Sequence, residues 1–335
     1  MGEDGVLVNS YKLASTILLL SGILVVSSLL GLSAGSSGGI YEVVQLVFGS
    51  EGDPTLEVII RQIRLPRVIL AATVGASLSL GGLVFQALLR NPLAEPYILG
   101  VSGGSAVGAI GGMLLGFSLF PGVALSSFAG SMLTLLLVLG LATGPMGLRK
   151  DSLLLGGVMV NAFYSAVIIF LISLSQQTSQ IHHILFWLMG DFSMMSSEQW
   201  PILLPIVPCF LIIASQARPM NLLLLGEESA ATMGVDIRKV RLLLLATTSL
   251  MVSLVVSQSG LVGFVGLTVP HIFRMILGSD HRILIPASIL GGASYLICCD
   301  LLARTISSSG EMPVGIITAM VGAPLFIFLL WRSQR

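Results

Sequence analysis

Long apolar runs separated by short polar segments dominate the chain. An α-helix needs about 20 apolar residues to cross the hydrocarbon core of a bilayer. The runs therefore predict ten membrane-spanning helices, at residues 13–32, 68–89, 97–116, 120–143, 152–174, 200–217, 240–259, 262–278, 283–305 and 313–331. The eighth run is short, and Gly260, Gly263 and Gly266 make its start uncertain. The pattern predicts a single all-α membrane domain over residues 1–335, since β-barrels show alternating segments instead.

Composition supports the same class. Of the 335 residues 55% are hydrophobic and only 10% are charged, whereas charged residues make up about 25% of an ordinary soluble domain. Sixteen basic and sixteen acidic residues balance, so no charge excess points to nucleic acid. Cys209, Cys298 and Cys299 all lie inside apolar runs, and we expect them to be packing residues. The first run is too long for a signal peptide and is expected to stay uncleaved.

The distribution of Lys and Arg predicts the orientation. With both termini in the cytoplasm, twelve of the sixteen basic residues fall on the cytoplasmic side, as the positive-inside rule requires. The four exceptions are Arg61, Arg64, Arg67 and Arg304. They could contact headgroups, pair with Glu57 or Glu311, or grip carboxylates on a partner protein, because Arg presents a planar fork. Asp300 is expected to pair with Arg304 at i+4.

Small residues and interrupted turns indicate how the helices pack and where a path could run. The third run carries a glycine every four residues, a spacing that lets another helix approach closely, at Gly100, Gly104, Gly108, Gly112 and Gly116. Two prolines bracket the turn Arg90-Asn-Pro-Leu-Ala-Glu-Pro96. Irregular backbone at membrane depth must be covered by protein or line a water-filled path. We therefore expect Asn91 and Leu93 to border a pathway, with Asn161 either lining it or bonding between helices.

The segment 218–236 between the sixth and seventh runs is the longest cytoplasmic connector with a recognisable pattern. Glu228, Ala230 and Gly234 fit the Glu-Ala-Ala-x-x-x-Gly pattern of importer permeases that dock an ATPase, with Ser229 in place of the first Ala. An ordinary surface loop is the alternative. The chain has no Gly-x-x-x-x-Gly-Lys-Ser/Thr sequence and no Gly-Lys pair, so it holds no phosphate-binding loop of its own.

Several further motifs occur in a fixed order: Arg64-Leu-Pro-Arg67, Gly75-Ala, Gln86-Ala-Leu, Asn91-Pro-Leu-Ala-Glu-Pro96, Leu99-Gly-Val-Ser102, Arg218-Pro-Met, Gly263-Phe-Val-Gly266, Val269-Pro-His271, Asp280-His-Arg282 and Gly322-Ala-Pro324. From about residue 60 to the C-terminus the chain resembles the iron-chelate and vitamin B12 importer permeases of the ABC type, the FecCD/BtuC family.

The resemblance implies a homodimer of ten-helix subunits in the cytoplasmic (inner) membrane. In that family helices two to five and seven to ten form an inverted repeat. Two cytoplasmic ABC ATPase subunits would hold ATP and Mg²⁺, and a periplasmic or surface-anchored binding protein would deliver the substrate. The resemblance places binding-protein docking at Arg64, Arg67 and Arg304, and it does not cover Arg61. It places ATPase coupling at Glu227, Glu228, Ser229, Ala230, Ala231 and Gly234.

The expected function is therefore a permease that performs no covalent chemistry and binds no cofactor. A secondary carrier would need coupling carboxylates near the midplane, and an intramembrane enzyme would need a nucleophile and base or a metal cluster. None of the four histidines has a second ligand at useful spacing, so no metal site is predicted. Among substrates an iron chelate, either a ferric siderophore or haem, is preferred slightly over cobalamin. Selectivity in the family rests mostly with the binding protein.

Overall fold

The computed structural model describes residues 10–33, 43, 54–144, 147–148, 150–175, 177–193, 199–306 and 312–333. Apart from a hairpin of two-residue strands, β1 (Thr143–Gly144) and β2 (Gly147–Leu148), these residues form helices and their connections. The helices are α1 (Ser10–Ser33), α2 (Pro54–Leu89), α3 (Val101–Leu114), α4 (Ala124–Ala142), α5 (Lys150–Leu174), α6 (Thr178–Leu188), α7 (Ile206–Ser215), α8 (Ala217–Leu224), α9 (Glu227–Thr232), α10 (Ile237–Ser259), α11 (Val265–Leu277), α12 (His281–Ile306) and α13 (Val314–Ser333).

Within the described residues, six helices are long and apolar enough to cross a membrane, and a bent pair makes a seventh. The six are α1, α2, α4 with the turn before it, α5, α10 and α12. Three shorter apolar helices, α3, α11 and α13, account for three further predicted spans. Every predicted run thus contains a helix, and the all-helical membrane fold is confirmed. By length and hydropathy alone the number of full spans is smaller than ten.

The sequence prediction is wrong in detail at three runs. The sixth run, 200–217, is not one straight helix: a 3₁₀ turn at Trp200–Leu203 leads into α7, and the chain bends by 48° into α8. In the third run Gly100 adopts a left-handed φ of 77°, so a 3₁₀ turn (Pro96–Leu99) precedes the shorter helix α3. The second helix begins at Pro54, ahead of the predicted run 68–89, because Ile59–Arg64 forms a π-helical turn that continues into Leu65–Leu89.

Helix α2 lies at the centre of the bundle. It packs against α10, α11 and α12, and most of the residues from Leu65 to Leu89 are buried. Backbone meets backbone at two of these crossings. A Cβ added at Gly75 would collide with the carbonyl of Gly292 on α12, and one at Gly82 would collide with Gly266 on α11. Glycine at these positions sets the interhelical distance.

The glycine series of the third run packs against α4 over its middle part. A Cβ added at Gly104 would collide with Gly130 and Thr134. One added at Gly108 would collide with the backbone of Ser126, and one added at Gly112 would collide with the Ser126 hydroxyl. Gly100 contacts Thr134 and Val160 from the position before the helix. The packing prediction is wrong for Gly116, because α3 ends at Leu114 and nothing lies within 4 Å of a Cβ placed there.

Polar ties at both ends of the bundle define its two faces. At one end, Lys12 Nζ donates to the carbonyl of Leu277 at 2.9 Å, and Arg90 Nη2 donates to the carbonyl of Leu223 at 2.9 Å. This face carries α8 and α9, and we call it the connector end. At the other end, Arg304 Nη2 donates to the carbonyl of Gly31 at 3.0 Å. This face also carries Arg64 and Arg67, and we call it the arginine end.

The two halves of the bundle show matching contacts. Helices α3, α4 and α5 contact one another, and so do α11, α12 and α13. In one half α2 contacts α11 and α12, and in the other half α10 contacts α3 and α4 in the corresponding way. The breaks also match, because a left-handed residue follows α2 and α10 (Arg90 and Gly260) and another precedes α3 and α11 (Gly100 and Phe264).

We predict that Gly104→Ala destabilises the protein, because the new methyl group would push α3 away from Gly130 and Thr134 on α4. Overpacking of this kind costs about 1–3 kcal/mol. Thermal unfolding of the detergent-purified protein measures the effect. Gly111→Ala is the matched control on the same helix, since nothing lies within 4 Å of its Cβ position. Equal melting temperatures for the two variants would contradict the close α3–α4 contact.

Candidate functional site

The connector is built from two short helices separated by glycine turns. Gly226, with φ 123°, separates α8 from α9, and Gly234, with φ 84°, follows α9. Both φ values are strained for residues with a side chain. The chain then returns to α10, where the Asp236 carboxylate accepts the Lys239 backbone N–H at 3.1 Å. That hydrogen bond lowers the pKa of Asp236.

The predicted coupling residues divide into a buried and an exposed set. Ala230 is buried, and the Glu227 carboxylate forms an ion pair with Arg241 of α10 at 3.0 Å. Ser229 is half-buried, and its carbonyl accepts the Met233 N–H at 3.2 Å. The exposed members are Glu228, Ala231 and Gly234. Leu225 (64% exposed) and Met233 (60% exposed) extend this surface with apolar side chains, which the sequence pattern did not single out.

At the arginine end the predicted outward guanidinium groups turn inward. Arg64 and Arg67 are each 6% exposed. The Asp300 carboxylate lies between Arg67 and Arg304, with Nε to oxygen distances of 2.9 and 3.1 Å. Arg64 Nη1 donates to the carbonyl of Leu32 at 2.8 Å. The expected Asp300–Arg304 pair is confirmed, and an outward-facing cluster of these three arginines is not what the structure shows.

The more exposed cation of this group is Arg61. It pairs with Glu57 at 2.9 Å, and its side chain is 68% exposed. Of the alternatives that the sequence left open for this arginine, pairing with Glu57 is the one observed. The sequence could not separate Arg61 from Arg64 and Arg67, because burial of the latter two depends on α1 and α12, which are distant in the chain. The docking role of Arg64, Arg67 and Arg304 stays a prediction.

An apolar cavity of about 520 Å³ opens among the helices. Its lining comes from both breaks in the helices, from the end of α6 and from the start of α13: Tyr97, Ser102, Leu188, Met189, Leu261, Gly263, Gly315, Ile316, Ala319 and Met320. Tyr97 joins the two breaks, since its hydroxyl donates to the carbonyl of Val262 at 3.1 Å and accepts the Val262 N–H at 3.2 Å. Few polar atoms face the cavity, so its wall suits a bulky ligand more than an inorganic ion.

None of the predicted pathway residues Asn91, Leu93 and Asn161 lines this cavity. Asn161 Nδ2 donates to the carbonyl of Tyr97 at 3.4 Å, so it supports the tyrosine that forms part of the wall. Asn91 accepts the Leu93 N–H on its side-chain oxygen at 2.9 Å and shapes the turn. Leu93 itself is exposed toward the connector end. Sequence reasoning missed Tyr97. The available signal was its position directly after Pro96, the last residue of the Asn91–Pro96 motif.

Among the described residues no group of three or more His, Cys, Asp or Glu side chains could hold a metal ion. A polytopic helical protein with an apolar cavity and an exposed two-helix connector belongs to the class of membrane transport proteins.

Comparison with known proteins assigns the family. Residues 23–332 match the FecCD transport family, and the chain belongs to it. It is 43% identical over 277 residues to the cobalamin import system permease protein BtuC of Halobacterium salinarum, covering 82% of this chain and 74% of the relative. It is 39% identical over 324 residues to the vitamin B12 import system permease protein BtuC of Escherichia coli O9:H4, covering 95% of both.

A solved structure described as a metal-chelate type ABC transporter in an inward-facing conformation superposes with a TM-score of 0.85. Its sequence is 34% identical, and the match covers 95% of this chain and 99% of the other. The resemblance to the FecCD/BtuC permeases of ABC importers is confirmed, and the protein is a multi-pass membrane permease.

We predict that Asp300→Asn strongly destabilises the protein, because it leaves Arg67 and Arg304 buried without their carboxylate. Removing one partner of a buried ion pair costs about 3–5 kcal/mol. Glu57→Gln is the control, since it breaks the exposed pair with Arg61, where about 1 kcal/mol or less is at stake. The comparison is made by thermal unfolding in detergent. A melting temperature for Asp300→Asn as high as that of Glu57→Gln would show that the triad does not hold the helices.

Proposed function

We propose that this chain is the transmembrane subunit of a binding-protein-dependent ABC importer that moves a metal chelate across the cytoplasmic membrane, with both termini in the cytoplasm. The observation that carries the proposal is the family match over residues 23–332, together with a connector whose exposed surface is apolar at Leu225 and Met233. Two ABC ATPase subunits dock at this connector and supply the energy. The absence of a phosphate-binding sequence from the chain fits this division of labour.

The architecture we propose has ten spans arranged as an inverted repeat of α2–α5 and α10–α13. The matching helix contacts and matching left-handed residues of the two halves support it. In this arrangement α7 with α8 is one bent span, and α3, α11 and α13 are short spans. Inverted repeats commonly place the transport path at their junction, where Tyr97 bonds to Val262.

Two copies of the chain form the transporter in this proposal. The 520 Å³ cavity is open on one side, and α5 exposes large apolar side chains along much of its length. A second copy facing the cavity would enclose a larger path suited to a bulky cargo. Alternating access then follows from movement of one subunit against the other, driven from the connector end.

Cobalamin is the first candidate substrate, because the relatives at 43% and 39% identity are named as cobalamin and vitamin B12 permeases. A ferric siderophore or haem is the second candidate, favoured by the metal-chelate description of the similar structure. Cobalamin and these iron compounds are bulky metal chelates, and the apolar wall of the cavity is compatible with either. The names of the relatives reverse the slight preference for iron, which rested on the larger number of iron-chelate members in the family, and they agree with the Asn91–Pro96 and Arg218-Pro-Met motifs, which are close to the vitamin B12 permease.

We expect ATP-dependent uptake of one of these compounds by the reconstituted importer. The permease is purified with the ABC ATPase encoded with it, placed in liposomes, and supplied with the cognate binding protein loaded with cobalamin, ferric siderophore or haem. Uptake of cobalamin that requires ATP supports the first candidate, and uptake of an iron compound supports the second. Uptake that persists without the ATPase would overturn the importer proposal in favour of a secondary carrier.

We also predict that Met233→Glu detaches the ATPase while leaving the permease folded, because Met233 is exposed on the connector and packs little within the chain. Ile276→Glu is the matched control, since Ile276 is an exposed apolar residue (69%) near the connector end of α11. Co-purification of the ATPase with each variant measures docking. Normal recovery of the ATPase with Met233→Glu would remove this surface from the docking site.

A further inference from the structure

The connector is fastened to helices that are distant from it in the chain. Asn221 of α8 donates from Nδ2 to Asp280 Oδ1 at 2.7 Å. Its side-chain oxygen accepts the backbone N–H of His281 at 2.9 Å and lies 2.7 Å from His281 Nδ1. One amide thus contacts both residues at the start of α12, and His281 is fully buried.

Asp280 is also the cap of α12. Its Oδ1 accepts the Arg282 N–H at 2.9 Å, and its carbonyl accepts the N–H groups of Ile283 and Leu284 at 3.1 and 3.0 Å. A rotation or shift of α8 therefore acts directly on the first turn of α12, since the same carboxylate oxygen serves both the connector and the helix. A carboxylate bond of this kind is stronger than one between neutral groups.

A second tie connects the same helix α8 to α2. Arg90, which follows α2, donates to the carbonyl of Leu223. Helices α2 and α12 touch through Gly75 and Gly292 near their middles and through Arg67 and Asp300 at the arginine end. The connector thus contacts one end of the α2–α12 pair. The two helices contact each other near their middles and at the arginine end.

We propose that Asn221 is a positioning residue that passes movement of the connector to the α2–α12 pair, and through it to the arginine end. The inference deepens the proposed function and rests on it. Asp280 and the backbone of His281 are the receiving groups. Glu227, which pairs with Arg241, fastens the other connector helix to α10 instead, so the two connector helices act on different parts of the bundle.

The test uses the full complex of permease, ATPase and binding protein. Asn221→Asp keeps the oxygen that faces His281 but places a second carboxylate oxygen against Asp280 Oδ1, so it breaks this one contact by repulsion. We expect the ATPase to co-purify normally and its basal turnover to be unchanged. Stimulation of ATP turnover by the loaded binding protein, and uptake, should fall about tenfold, the effect of losing one hydrogen bond to a charged group.

Two further variants separate coupling from folding. Asp280→Asn retains an oxygen that accepts from both Asn221 and Arg282, so it should couple like the wild type. The double variant Asn221→Asp with Asp280→Asn removes the repulsion and lets the new amide donate to the new carboxylate, at the cost of the hydrogen bond from Arg282. It should recover most of the lost stimulation. A purely structural role would alter yield and melting temperature without this recovery of coupling.

The outcomes are distinguishable. Normal stimulation in Asn221→Asp overturns the inference and leaves the proposed function standing. If Asn221→Asp folds poorly, the double variant decides: recovery of folding without recovery of stimulation overturns the inference. If the wild-type chain neither retains an ATPase nor needs one for uptake, the proposed function fails, and the positioning role of Asn221 fails with it.

Discussion

The close approach of helix backbones around α2 is the constraint on which the structure depends. Lipid tails are as apolar as the helix surfaces, so packing inside a membrane relies on van der Waals contact and hydrogen bonds rather than on exclusion of water. Contact is closest where no side chain intervenes, as at Gly75 with Gly292 and Gly82 with Gly266. These crossings fix α11 and α12 on α2, and the cavity and both ends of the bundle are built on that frame.

The same frame makes the breaks in the helices tolerable. The segments after α2 and α10 leave backbone groups outside regular helices, and such groups must be satisfied within the protein at membrane depth. Tyr97 meets this requirement for Val262 by donating to its carbonyl and accepting from its N–H. Pro96 fills the space that Gly81 and Gly266 leave open. Part of the cavity wall is therefore irregular backbone held by packed helices, and Tyr97 pairs the backbone groups of Val262 there.

Sequence reasoning succeeded where the signal was local. Hydropathy located a helix in every predicted run, and spacing at i+4 identified the Asp300–Arg304 pair. It failed where the outcome depends on distant contacts. Arg67 pairs with a residue 233 positions away, and Arg64 bonds to the end of α1, so charge alone suggested an outward cluster. The 48° bend between α7 and α8 likewise escaped prediction, because hydropathy locates the end of an apolar run but not the direction in which the next helix leaves it.

Several motifs that identified the family acquire separate physical roles in the fold. Arg218-Pro-Met is followed directly by Asn221, and Asp280-His-Arg282 supplies the groups that Asn221 contacts. Residues 59 positions apart in the chain thus meet in one contact. Gly322 of the Gly322-Ala-Pro324 motif leaves room for Phe264, whose left-handed φ of 68° lies directly before α11. A motif search treats these as independent matches, whereas the structure makes them parts of the same contacts.

Helix α12 joins the connector end of the bundle to the arginine end. Its first turn is capped by Asp280, which faces the connector, and its last turns carry Asp300 and Arg304, which face α1 and α2. A charge buried between two arginines resists rearrangement, because any movement that separates them leaves an unpaired ion in an apolar setting. The arginine end thus joins α2 and α12 through a buried ion pair. Displacement applied at the connector end would tilt α2 and α12 together rather than slide one along the other, and a tilt moves the Tyr97–Val262 junction that lies beside them.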